Sequence, residues 1–318
     1  MTTYIVHRLI QAVVVLIIVS LIVFVAIRLL PGDPILLYLS QEERETLTEE
    51  HVQAMRHQFG LDKPLIIQYI DWMSGLFRGD FGTSLFYRED VSRLLMERLP
   101  VTLYLGLIAF VMSAVLGISA GMLSALRRGS FLDALVTMFA NTGIGVPIFW
   151  LGILMIFVFS LKLRLLPVCG YVSPLDDFWL STKHLIMPVI CLMIFGLASG
   201  ARQTRSSMLE VIRQDYIRTA WAKGLEEHTI VLRHAMKNGL IPVITLMGTG
   251  ISHILGGSVL IETVFNIPGM GRLAVSAVLS QDYAIVQAVV LLTAMMVVLF
   301  NLLVDICYGW LDPRIRYG

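Results

Sequence analysis

Charge is what this chain has least of. Only 15% of its 318 residues are Asp, Glu, Lys or Arg, whereas 57% are hydrophobic and the mean hydropathy is +0.78. Soluble domains carry about 25% charged residues, so the shortage excludes a disordered chain and a cytosolic enzyme. Net charge is nearly absent too: 24 Lys+Arg against 23 Asp+Glu leave +1, and no field draws the chain to nucleic acid. Cysteine is scarce. Cys169, Cys191 and Cys307 stand in no close-spaced pattern, which points to neither a disulfide framework nor a zinc site, and they are expected to be small buried apolar residues. No G-x-x-x-x-G-K-[ST] string occurs, so the chain has no phosphate loop of its own for ATP.

What is there is apolar and long. Six stretches lack Asp, Glu, Lys and Arg: Leu9 to Ile27, Leu99 to Leu126, Ala134 to Leu161, His184 to Ala201, Asn238 to Ile261 and Tyr283 to Val304. Crossing about 30 Å of hydrocarbon takes roughly 17–25 residues of helix. Only helices or closed barrels satisfy their backbone in lipid, and these runs are continuous rather than alternating. The sequence therefore predicts an all-α membrane protein with six transmembrane helices. The first run follows His7 and Arg8 like a signal peptide, but Leu29-Leu30-Pro31-Gly32-Asp33-Pro34 offers no small-x-small cleavage site. It reads as an uncleaved anchor.

Positive charge in the short loops orients the spans. One side carries twelve basic residues: Arg8, Arg127, Arg128, Arg202, Arg205, Arg213, Arg218, Lys223, Arg233, Lys237, Arg314 and Arg316. The other carries five, Arg28, Lys162, Arg164, Lys183 and Arg272. Both termini are thereby expected in the cytoplasm. The chain divides into a first transmembrane helix (1–30), an extracytoplasmic segment (31–98) and a core with five transmembrane helices (99–318) that contains a cytoplasmic loop at 202–238.

The outer segment holds seven Lys+Arg and twelve Asp+Glu. A short helix is expected from Thr48 as N-cap, through Val52, Met55 and Phe59, to a stop at Gly60. The apolar run after Pro64, with Tyr69 and Trp72, suits the membrane interface. The inner loop holds seven basic and four acidic residues. Ser206 to Trp221 reads as one helix, Gly224 breaks it, and Leu225 to Met236 resumes helical character until Asn238-Gly239. Two readings fit this shape. It is either a basic anchor on anionic lipid or a helix pair that a partner can push.

The stretch Asp215-Tyr216-Ile217-Arg218-Thr219-Ala220-Trp221-Ala222-Lys223-Gly224, followed by Arg233-His234-Ala235-Met236-Lys237-Asn238 and Ile241-Pro242, resembles the EAA-type loop of binding-protein-dependent ABC importers. Within that family it is most similar to the permeases for dipeptides, oligopeptides and nickel. Leu29 to Pro34, Phe59-Gly60-Leu61-Asp62-Lys63-Pro64, Asp80-Phe81-Gly82, Pro268-Gly269-Met270-Gly271-Arg272, Asn301 to Asp305 and Asp312-Pro313-Arg314-Ile315-Arg316 fit as well, so the resemblance spans the chain. Arg218-Thr219-Ala220 stands where the general motif has Glu-Ala-Ala, and His234 and Met236 replace Ile and Leu, both in the manner of the peptide/nickel branch.

The resemblance implies a type I importer permease that forms half of a membrane channel with a second homologous permease. It implies two cytoplasmic ABC ATPase subunits and an extracytoplasmic solute-binding protein as further partners. ATP and Mg would sit on the ATPases, with no cofactor and no metal on this chain. The loop would be a coupling helix seated in an ATPase groove, with Asp215, Tyr216, Arg218, Thr219, Ala220, Trp221, Lys223, Gly224, Leu225, His234 and Asn238 as its site. The cargo would be a di- or oligopeptide, with nickel or another metal chelate as the alternative.

Polar residues inside the spans are the remaining candidates, because they are costly in lipid. Asn141 with Thr142, and Ser252 with His253 among Gly250, Gly256 and Gly257, are candidates for the translocation path. Asn301 and Asp305 read as glue near the inner interface. A helix-to-helix hydrogen bond is the competing role for His253, and a lone His is a poor metal site. Glu262, Asn266 and Arg272 flank the Pro268–Gly271 turn as candidates for an outer gate or binding-protein contact. An intramembrane enzyme would need paired catalytic groups. Ser252 and His253 are adjacent on a helix and point about 100° apart. An autonomous channel or secondary transporter would show internal repeats, and none is evident.

Overall fold

The structure is a computed structural model that describes residues 2–29, 53, 54, 57, 60, 62–84 and 86–311, with side chains at 2–5, 249, 305 and 307–311 left aside. The expected helix at Thr48 to Phe59 falls almost wholly outside these residues, as do the Asp305 side chain and the Asp312–Arg316 tail. In chain order the helices are α1 (Thr2–Arg28), α2 (Leu65–Phe77), α3 (Val91–Leu126), α4 (Phe131–Gly145), α5 (Ile148–Met155), α6 (Phe178–Val211), α7 (Asp215–Ala222), α8 (Ile241–Val264), α9 (Met270–Leu279) and α10 (Tyr283–Leu311). Among the described residues five are long and apolar enough to cross a membrane, and α4 passes the same test only together with the bent stretch Ile148–Lys162 that follows it. At 36 and 34 residues, α3 and α6 run about 50 Å at 1.5 Å per residue, well beyond the hydrocarbon.

The sequence predicted one continuous helix over Ala134 to Leu161, and here the structure differs. The two halves meet at 106°. Pro147 lacks an amide hydrogen and pushes the preceding residue out of the helical region, so Val146 is extended (φ −79°, ψ 126°). After Met155 the second half continues as a π-helix over Ile156–Lys162.

Close packing divides the chain into two compact units. The first contains residues 1–8, 103–267 and 297–318. Its axis is α6, against which α4, α5 and α8 pack. Small residues allow close approach: Gly117 and Gly121 of α3 lie over Leu197 and Ala201, and Gly143 of α4 over Ala198. This is the small-xxx-small packing of helices in lipid, where contact rather than water exclusion holds neighbours together.

The second unit contains residues 9–102 and 268–296. Its core joins Val91, Leu94 and Leu95 of α3 to Met270, Leu273 and Ala277 of α9 and Ile285, Ala288 and Val289 of α10. The end of α1 packs against α2: the Phe24 ring lies 5.2 Å from Tyr69 and 6.0 Å from Trp72, and the Ser20 and Tyr69 hydroxyls are 2.8 Å apart. Asp282, almost fully buried, caps α10 by accepting the Ile285 amide at 3.3 Å. Its other oxygen accepts the Ser84 hydroxyl (2.5 Å) and the Phe86 amide (3.1 Å), which pins the turn closed by the Thr83–Asp90 bridge.

Candidate functional site

The inner loop is built on a small core of its own. The single helix expected over Ser206 to Trp221 is two helices. α6 ends at Val211, Gln214 is extended (φ −70°, ψ 149°), and α7 starts at Asp215. The turn has a packing reason. Ile217 and Ala220 reach the core of Ala125, Met208, Ile230, Val231 and Ala235 only if the chain reverses after α6. Beyond the turn the chain continues through Glu227–Thr229, a π-helical Ile230–Ala235 and Met236–Gly239.

Gly224 ends α7 in the left-handed region, φ +74°. The Gly224 amide donates to the Trp221 carbonyl (2.9 Å) and the Leu225 amide to the Ala220 carbonyl (3.4 Å), the two bonds of a Schellman stop. Asn238 donates its side-chain amide to the Tyr216 hydroxyl at 2.8 Å, clamping the start of α7 to the end of the loop. The Thr219 hydroxyl donates to the Asp215 carbonyl (2.9 Å), and Arg218 lies 3.5 Å from the Asp215 carboxylate.

Of the eleven loop residues singled out by sequence, Ala220 is buried and the other ten are exposed. Tyr216, Trp221 and Leu225 keep 42%, 44% and 40% of their surface open, and Arg218, Lys223 and His234 are exposed with them. A helix with its apolar stripe buried at i and i+3, yet with aromatic side chains left outside, has a second apolar surface to cover.

A residue that sequence reasoning passed over carries the electrostatics of this end. Asp133, in the first turn of α4, is buried, and its two oxygens accept four hydrogen bonds. The donors are Arg205 Nε (2.6 Å), Arg205 Nη2 (2.9 Å), the Ser124 hydroxyl (2.5 Å) and the Gly129 amide (2.9 Å). This ties the α3–α4 turn to α6 less than two turns before that helix ends at Val211. The sequence signal was slight: one acidic residue following the basic pair Arg127-Arg128.

The path candidates divide. His253 and Ser252 line a cavity of about 420 Å³ with Leu192, Phe195, Gly256 and Gly257, and His253 also lines a second cavity of about 230 Å³. The His253 ring lies 4.9 Å from the Phe195 ring. Asn141 and Thr142 are exposed on α4 and line neither cavity. Asn301 is exposed on α10.

The outer-gate candidates divide as well. Glu262 and Asn266 belong to the first unit and Arg272 to the second. Glu262 is fully buried, whereas Asn266 and Arg272 are exposed. Asn266 sits at φ +54°, where the Ile267 amide donates to the Glu262 carbonyl (2.8 Å) and ends α8. The choice of Asn, which tolerates this conformation, is explained by the helix stop. Among the described residues no group of three His, Cys, Asp or Glu side chains comes together.

Residues 117–317 match the family described as the binding-protein-dependent transport system inner membrane component, and residues 1–106 match its N-terminal membrane component. A protein of Sinorhizobium fredii described as a probable peptide ABC transporter permease is 41% identical over the full length of both chains. A di/tripeptide transport system permease protein of Pseudomonas aeruginosa is also 41% identical, over 94% of each. Among solved structures, the inward-facing MetNI methionine ABC transporter aligns with TM-score 0.57 at 18% identity, covering 69% of this chain and 96% of that one. An amino acid ABC transporter crystallised with histidines aligns with TM-score 0.51 at 14% identity, covering 68% and 94%. These two likenesses concern the fold alone.

Proposed function

The chain belongs to the family of binding-protein-dependent transport system inner membrane components, and from that premise we propose that it is the permease subunit of an ATP-driven importer of di- and oligopeptides. The cargo reading rests on the full-length similarity to peptide permeases. Nickel or another metal chelate, the alternative allowed by the resemblance, has no counterpart among those relatives.

In this reading a second homologous permease completes the channel, two cytoplasmic ATPases supply the work, and an extracytoplasmic binding protein delivers the peptide. Both termini then face the cytoplasm, and ATP and Mg stay on the ATPases. The observation that carries the coupling role is the mounting of α7. Its buried face is held by Ile217 and Ala220, both its ends are clamped, and Tyr216, Trp221 and Leu225 are left open. A rigid helix seated in a partner groove transmits displacement, whereas a flexible loop absorbs it. Closure of the ATPases would move α7, and α6 with the Asp133–Arg205 tie would carry that motion toward α3 and α4.

Purification of the tagged chain in mild detergent tests the assembly. A second six-span permease and P-loop ATPases are expected to co-purify, and Trp221→Ala is expected to lose the ATPases while keeping the permease pair. Recovery of the chain alone, with peptide uptake that needs no ATP, would overturn the reading.

A further inference from the structure

The cavity of about 230 Å³ is walled by apolar residues, Phe110, Ile144, Phe195, Leu246, Met247 and Ile254. Besides Ser113 of α3 and His253 of α8, its polar lining is a group on α6, where Ser199, Arg202 and Gln203 fall within about one helical turn. Arg202 makes no hydrogen bond and no ion pair among the described residues. The buried carboxylate of Asp133 on α4 is already taken up by Arg205, Ser124 and Gly129. Arg202 is an exposed residue of the lining, so it offers an uncommitted guanidinium at the edge of these apolar walls. A guanidinium in that setting favours a planar, two-oxygen anion, which it binds with paired charge-assisted hydrogen bonds.

We infer that Arg202, with Ser199 and Gln203 beside it, is a carboxylate subsite for cargo in transit, and that it holds the C-terminal carboxylate of the peptide. This rests on the peptide reading above. The cavity is smaller than the roughly 300–1,000 Å³ of sites that enclose a drug-sized ligand, so it takes one end of a peptide and not the whole. The neighbouring 420 Å³ cavity shares Phe195, Gly196, Gly250, His253 and Ile254 with it, so the space for the remainder of the peptide is bordered by the same residues. A free C-terminus is common to peptides of any sequence, so one fixed cation orients them all without reading side chains. Gly250 borders both cavities, and a Cβ there would meet nothing within 4 Å, so a larger side chain would fill this space rather than the helix packing.

The test uses the assembled importer in phosphatidylcholine nanodiscs without its binding protein, and saturation-transfer NMR on the methyl signals of dialanine and dialanine amide. Dialanine is expected to give at least a fivefold stronger signal than the amide. Arg202→Gln and the cavity-filling Gly250→Leu should each remove that preference. Arg202→Lys should keep part of it, and Arg213→Gln, which removes the same charge outside the cavity, should leave it intact. Equal signals from acid and amide in the wild type would overturn the proposal, as would an undiminished preference in Arg202→Gln. Abolition of the preference in discs containing phosphatidylglycerol would assign the guanidinium to a lipid headgroup instead, and would also overturn it. Failure of the wild-type assembly to transport any peptide delivered by its binding protein would defeat the peptide reading itself. Intact transport without acid–amide discrimination would defeat only the subsite.

Discussion

Asp133→Ala removes a buried carboxylate that accepts four hydrogen bonds, and its cost is set by what it leaves behind. Two Arg205 nitrogens, the Ser124 hydroxyl and the Gly129 amide all lose their acceptor. Removing one member of a buried ion pair costs about 3–5 kcal/mol, because the surviving charge keeps its desolvation without its partner. The Asp133 side chain is 8% exposed but that of Arg205 is 30% exposed, so water relieves part of the orphaned charge and the expected loss is near the lower bound, about 3 kcal/mol. Arg205→Ala leaves a carboxylate that still has two donors and is expected to cost about 2 kcal/mol. The double variant strands no charge. Its loss should therefore fall short of the sum of the singles by about 2 kcal/mol, within the range seen for residues in contact. Reversible unfolding of the purified chain in mixed micelles, followed by Trp fluorescence, gives the cycle. Losses that add to within 0.5 kcal/mol would refute the pairing, and Asp133→Ala at wild-type stability would refute the whole argument.

Gly121→Val places a Cβ 2.6 Å from the Thr204 Cβ and against the α6 backbone, and overpacking of this kind costs about 1–3 kcal/mol or more, so the variant should assemble poorly. Gly145→Ala, where a Cβ meets nothing within 4 Å, should be tolerated or gain up to about 1 kcal/mol, and size-exclusion yields of the two variants compare them directly. Asn266→Gly should assemble normally, whereas Asn266→Val forces a β-branched residue to φ +54° at about 1–2 kcal/mol. Wild-type yields from the Val variant would contradict the role of Asn266 as a helix stop. Asp282→Ala removes the cap of α10 and the anchor of the 83–90 turn, about 2 kcal/mol together. Limited proteolysis should then cut that turn faster than in the wild type, and an unchanged rate would count against the anchor.

The membrane spans were legible in the sequence because transfer into hydrocarbon depends on composition summed along a run, and six charge-free runs suffice for that. The stop at Gly224 was legible too, since a glycine after a helical stretch is a local backbone signal. The family resemblance came the same way, from short strings in their order. The break at Pro147 was present in the sequence but hidden by apolar continuity on both sides, because hydropathy is blind to direction. The turn between α6 and α7 was not readable at all from helical periodicity. It exists because Ile217 and Ala220 share a core with Met208. Packing likewise decided which polar residues matter. Asp133 finds Arg205 across 72 residues and Asp282 finds Ser84 across 198, whereas Asn141 was left on an exposed face, away from the cavities that His253 lines. Burial preference and backbone propensity act within one segment and can be read along the chain. The partner of a charge is a property of two segments at once, and only their packing against each other chooses it.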